Sequence, residues 1–127
     1  MTAEGFRRAA LKMPEAVEVG HMGHPDFRVG GKIFATLGYP DGRWGMVKLT
    51  PELQEALVSS SPEAFAPVKG AWGRQGATSV LLREVKASEL RKALVAAWRS
   101  VAPPRLAASV SVSANGPTRV GRRRTRG

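Results

Sequence analysis

Gly23-His24-Pro25-Asp26-Phe27-Arg28-Val29-Gly30-Gly31-Lys32-Ile33-Phe34-Ala35-Thr36-Leu37 is the stretch that decides the fold class of this 127-residue chain. Phe27 to Val29 and Lys32 to Leu37 alternate with the period of two that sends successive strand side chains to opposite faces. Gly30-Gly31 between them can take the positive φ values of a two-residue hairpin turn. The segment therefore reads as an antiparallel hairpin. Alternation directs Phe27, Val29, Ile33, Ala35 and Leu37 to a core, and Arg28, Lys32, Phe34 and Thr36 to the opposite face.

Working outward, Pro40-Asp41-Gly42-Arg43 makes the next turn, and Trp44 to Leu49 a third strand that adds Val47 and Leu49 to the core face and Trp44, Met46 and Lys48 to the other. Phe65 to Lys69 predicts a short edge strand, since Pro67 has no amide to donate inside a sheet. Residues 70 to 76 read as a loop and Thr78 to Val85 as a further strand. Three helices accompany them. The first runs over residues 2–13 with Thr2 as cap, and the second opens on Thr50-Pro51-Glu52 and buries Leu53, Ala56 and Leu57. The third is capped by Ser88, carries Leu90, Leu94, Ala97, Trp98 and Val101 on one face, and stops at Pro103-Pro104. Short hairpin connections exclude parallel crossovers between the early strands, so the expected class is α+β in two layers, an antiparallel sheet with helices on one face.

The length and a hydrophobic content of 43% suit one core, placed at residues 1–104, with 105–127 as a basic low-complexity tail. The absence of cysteine removes disulfides, thiolate metal sites and a cysteine nucleophile. No apolar run of about 18 residues offers a membrane span, and the N-terminus lacks a signal-peptide core, so the expected location is the cytoplasm. Charge is unevenly distributed. Fourteen cations and all ten acids precede Ala102, leaving +4, while Arg105, Arg119, Arg122, Arg123, Arg124 and Arg126 add +6 beyond it. Such a balance favours polyanionic partners, and the terminal arginines suit sequence-independent phosphate attraction.

On the face opposite the core, Arg28, Lys32 and Lys48 stand with Phe34, Trp44 and Met46, a mixture of cations for phosphates and flat rings for bases. Gly70-Ala71-Trp72-Gly73-Arg74-Gln75-Gly76 sets Trp72 and Arg74 on a glycine-rich loop whose spacing matches neither the P-loop nor the dinucleotide fingerprint. His21 and His24 with Asp26 are too few to complete a tetrahedral zinc site, and no nucleophile with its own base stands beside them. No metal, cofactor or catalysis is expected.

Three blocks carry a resemblance: residues 23–37, Val47-Lys48-Leu49-Thr50-Pro51-Glu52, and Gly70 to Thr78. They resemble the signature blocks of the MmcQ/YjbR-like family over roughly residues 6–105. The resemblance implies a compact double-wing architecture, similar to bacterial frataxin (the CyaY-like fold) and to secretion chaperones. It implies DNA binding and brings no catalytic residue. His24, Pro25, Phe27, Arg28, Lys32, Lys48, Trp72, Gly73 and Arg74 are the positions it singles out. Frataxin-like iron handling would need an acidic ridge, which this basic chain lacks. The expectation is a non-enzymatic DNA-binding module using Arg28, Lys32, Phe34, Lys48, Trp72 and Arg74, with Arg122, Arg123, Arg124 and Arg126 adding affinity. Its rival is a protein-interaction, homodimer or small-ligand module on the Phe34, Trp44 and Met46 surface.

Overall fold

The computed structural model describes residues 1–20, 24–38 and 41–108. In chain order the elements are α1 (Ala3–Leu11), β1 (Val17–Val19), β2 (Asp26–Val29), β3 (Lys32–Leu37), β4 (Trp44–Lys48), α2 (Pro51–Ser60), β5 (Phe65–Pro67), α3 (Ala71–Arg74), β6 (Ala77–Leu81), α4 (Ala87–Val101) and α5 (Pro104–Ala107). The strands form one six-stranded sheet in the order β1-β2-β3-β4-β6-β5, every neighbouring pair antiparallel. With helices packed on it, this is the α+β class read from the sequence. None of the helices is long and apolar enough to cross a membrane, among the described residues.

Local signals set most of the boundaries. Gly30 and Gly31 take φ of 58° and 80°, so the β2–β3 turn is the primed type whose twist matches that of paired strands. The Thr2 and Thr50 hydroxyls accept the amides of Gly5 and Leu53, each supplying a partner to a donor that a helix start leaves unmatched. Pro51 follows Thr50 at the first helical position, and Pro67 sits on the edge strand, where a missing donor removes no ladder bond. α1 and α4 cover one face of the sheet. Phe6, Phe27, Phe34, Leu94 and Trp98 form the centre of the core, with the Phe6 and Phe27 rings 6.1 Å apart. Trp98 Nε1 donates to the Pro14 carbonyl at 2.9 Å, giving the buried indole its one polar partner. Gly45 admits the Phe6 ring to the sheet, because a Cβ there would lie 2.7 Å from Phe6 Cε2.

Several expectations need correction. Phe34 is fully buried in the core, as is Ala35 beside it. Phe27 pairs with Ala35 but Arg28 pairs with Ile33, so a β-bulge leaves Phe34 as an extra residue in β3. Pairing then places Lys32, opposite Val29, on the core side of the sheet and Ile33, opposite Arg28, on the open side. One inserted residue inverts the alternation on one side of the bulge. In α2, Leu53 and Ala56 are exposed, and the inward residues are Leu57 and Val58. β1 was not foreseen, since three residues carry too little periodicity to be read. β6 ends at Leu81, short of Val85. α4 starts at Ala87, with the Glu89 carboxylate accepting the Lys86 amide where a Ser88 cap was expected. The folded body also continues past Pro104, which opens α5, and Leu106 is buried in the core.

Candidate nucleic-acid interface

The open side of the sheet carries Arg28, Thr36, Trp44, Met46 and Lys48, as alternation predicts, but Met46 is buried there and offers no surface. This side is less basic than its sequence suggests. Arg28 Nη2 donates to Asp26 Oδ2 at 3.1 Å, two residues back on the same strand, and Arg28 Nε is buried with no partner among the described residues. With Phe34 in the core and Lys32 on the other side, the face offers a paired arginine, the half-buried Lys48 and two apolar pairs of positions, Val17 with Ile33 towards one end and Trp44 with Leu81 at the other. Lys48 lies at the strand end, where its carbonyl accepts from Ser100 Oγ of α4 at 3.0 Å.

The glycine-rich segment is a single turn of helix. Its glycines serve backbone contact: a Cβ on Gly73 would overlap the Val68 carbonyl, and one on Gly76, at φ 113°, would overlap that of Leu49. Gln54 Nε2 from α2 donates to the carbonyls of Gly73 and Ala77, both at 2.9 Å, and locks the turn to α2. Trp72 is 46% exposed and Arg74 is exposed beside it, so the segment displays an indole and a guanidinium while its backbone is occupied. The Gly76 amide is itself spent on the Gly73 carbonyl at 3.0 Å, so it is not free to meet a phosphate.

Pairing across the described residues divides the charges. Arg7 joins Glu4 and Glu18, Arg8 joins Glu4, Arg43 joins Asp41, Arg83 joins Glu84, and Arg105 joins Glu15 at 3.7 Å. The Arg43 side chain and amide hold the Asp41 carboxyl down at about 2. Hydrogen bonds from the Ser61 hydroxyl and the Lys86 amide lower that of Glu89. Among the described residues the acids left without an ion pair are Glu52, Glu55 and Glu63, on α2 and just after it, and Glu89, which its hydrogen bonds hold instead. Lys32, Lys48, Lys69, Arg74 and Arg91 are cations left likewise. Sequence reading missed the outer face of α4, where Arg91, Lys92 and Arg99 are exposed. The signal was present, since these positions complement the apolar set Leu90, Leu94, Ala97 and Trp98 at helical period.

His24 is exposed just before β2, and His21 lies outside the described residues, as do Arg122, Arg123, Arg124 and Arg126. The folded body thus brings together Arg28 with Lys48 on the sheet and Trp72 with Arg74 on α3. Phe34 and Lys32 are separated from that face.

Comparison with known proteins agrees with this architecture. None of the curated proteins matches the chain. Among solved structures, the crystal structure of Deinococcus radiodurans protein DR2400, described as carrying the family domain DUF419, superposes with a TM-score of 0.65 at 21% identity. The match covers 79% of this chain and 78% of that one, and at such identity it speaks to the fold alone. The YjbR family model matches residues 11–100, which takes in the sheet, the Gly73–Gly76 turn and all but the last residue of α4. On that match the chain belongs to the YjbR family.

Proposed function

We propose that this chain is a non-enzymatic, cytoplasmic DNA-binding module that holds the phosphate backbone with little base preference. The observation that carries the reading is the charge left after pairing. Six of the ten acids in the body are spent on arginines, while Lys32, Lys48, Lys69, Arg74 and Arg91 remain unpaired among the described residues. Beyond Arg105, which Glu15 meets, Arg119, Arg122, Arg123, Arg124 and Arg126 add five charges with no acid in their stretch of sequence. Phosphate contacts of this kind give affinity and no sequence information, which fits a surface without a set of side chains shaped to base edges. Trp72 supplies a ring on which an unpaired base can stack next to Arg74.

Fluorescence anisotropy with single- and double-stranded DNA over a salt series tests this reading. The full chain is compared with a version ending at Ala108, because Leu106 belongs to the core and must be kept. Binding by the shortened chain with a shallower salt slope is the expected result, each lost phosphate contact removing about 0.9 from the slope on duplex DNA. Complete loss on shortening would reduce the DNA reading to a property of the tail.

The open sheet face favours a second reading. Trp44 and Leu81 stand opposite one another on it, and at its other end Val17 on the edge strand is 54% exposed, apolar positions of the kind that protein partners cover. A mass that rises with concentration, and falls on Trp44→Glu, would support a dimer there.

A further inference from the structure

We propose that the outer face of α4 is the surface that meets a DNA duplex. The inference rests on the DNA-binding reading and assigns the contact to a different element from the open sheet face. α4 turns Leu90, Ala93, Leu94, Ala97 and Trp98 into the core, and its exposed positions include Arg91, Lys92 and Arg99. Its only acid, Glu89, is held by the Ser61 hydroxyl and the Lys86 amide. The helix therefore presents cations with no competing carboxylate of its own.

Spacing and size select a duplex. Lys92 and Arg99 are seven residues apart and nearly in line on the helix surface, about 10 Å along its axis at 1.5 Å per residue, close to the width of about 12 Å of the B-DNA major groove, with Arg91 on the flank. Cations so placed can reach phosphates on either side of that groove. Between them the half-buried Val95 and Ala96 are short enough to allow close approach. The face has no aromatic side chain on which an unpaired base could stack, so a single strand gains less from it. It also lacks the bulky apolar residues that a membrane-surface helix inserts beside its cations.

The surroundings of the helix end extend the same charge. Pro103, just past α4, lies against the β2–β3 turn, since a Cβ on Gly30 would sit 3.0 Å from Pro103 Cγ. That turn carries the exposed Lys32, which the bulge keeps on the helix side of the sheet. α5 follows directly, and Arg119, Arg122, Arg123, Arg124 and Arg126 lie in the nineteen residues beyond Ala108.

The experiment uses the full chain, a fluorescent 20-base-pair duplex, and anisotropy across a salt series. The variant Arg91→Glu/Lys92→Glu/Arg99→Glu is compared with Lys12→Glu/Arg43→Glu/Arg83→Glu, an equal charge change elsewhere, and both are checked by thermal melting. The expected result is at least a roughly tenfold loss of affinity and a salt slope lower by about 2 to 3 for the α4 variant alone. Arg91→Lys/Arg99→Lys, which keeps the charge, should retain most binding, and this arm remains informative if the triple variant melts early. Equal losses in both triple variants would replace a local contact with bulk charge and overturn the proposal. If the wild type binds duplex and the α4 variant binds equally well, the α4 assignment fails while the DNA reading stands. A wild type that ignores duplex DNA but binds phosphatidylserine vesicles or an acidic protein would sink both.

Discussion

α4 and α2 both follow a strand, both carry an amphipathic pattern, and they end as opposites. α4 packs over β3 and β4 in the middle of the sheet, where apolar neighbours surround it, and five of its residues are buried. α2 packs at the β5–β6 side, has no buried residue, and turns only Leu57 and Val58 toward the core. Outside, α4 shows Arg91, Lys92 and Arg99, whereas α2 shows Glu52 and Glu55 with the exposed Leu53. Position on the sheet therefore decides how much of an apolar stripe is used. The two outer faces, one basic and one acidic, give the molecule a direction in which a polyanion can approach. Ser61 at the end of α2 donates to Glu89 at the start of α4, so the two helices are tied at one point.

The sharpest test of the contrast is truncation within each helix. Trp98→Ala should cost about 3–5 kcal/mol, because a full indole and its bond to Pro14 are lost from a packed interior. That is a large part of the roughly 5–15 kcal/mol that holds a domain of this size together. Leu57→Ala should cost about 1–2 kcal/mol, the site being half exposed. Urea unfolding measures both, and equal losses would make α2 as central as α4.

Gly73→Ala comes next, at about 3 kcal/mol. Its Cβ would overlap the Val68 carbonyl, which belongs to backbone and cannot swing away, and relief would pull on the Gln54 bonds that hold α2. A melting temperature unchanged by this substitution would show that the turn is looser than its packing indicates. The smallest effect concerns the tie between the helices. Because Glu89 has a lowered carboxyl pKa when folded, its stabilisation is present above the ordinary glutamate range and is lost as pH falls. Ser61→Ala removes the largest cause of that shift. Melting temperatures from neutral pH down through the carboxylate range should therefore fall less steeply in the variant than in the wild type. Parallel curves would show that the hydroxyl contributes nothing to the tie.

Legibility followed the range of the forces involved. Thr50-Pro51-Glu52 marked the start of α2 to the residue, because a cap, a fixed φ and an acid near the helix dipole all act within one turn. Gly30-Gly31 marked its hairpin for the same reason. Phe34 was misread because its direction depends on how β3 pairs with β2, and an inserted residue leaves no local trace in a string of good strand formers. The glycines at 73 and 76 were visible as a cluster, yet their reason is the backbone of Val68 and Leu49 lying against them. Among the candidate contacts, Trp72 and Arg74 stand exposed as expected, whereas Arg28 is matched to Asp26 by strand geometry that composition cannot convey.

By itself, then, the sequence determined the order of the longer helices and strands, the starts of α1 and α2, the hairpin turn and the excess of positive charge, all of which are set by residues within a few positions of one another or by simple count. Tertiary structure alone decided which face Phe34 and Lys32 occupy, how deeply each helix is used, and which cations are left unpaired. Those outcomes depend on partners far away in the chain, as Arg7 with Glu18 and Arg105 with Glu15 show, and folding is what brings such partners within reach.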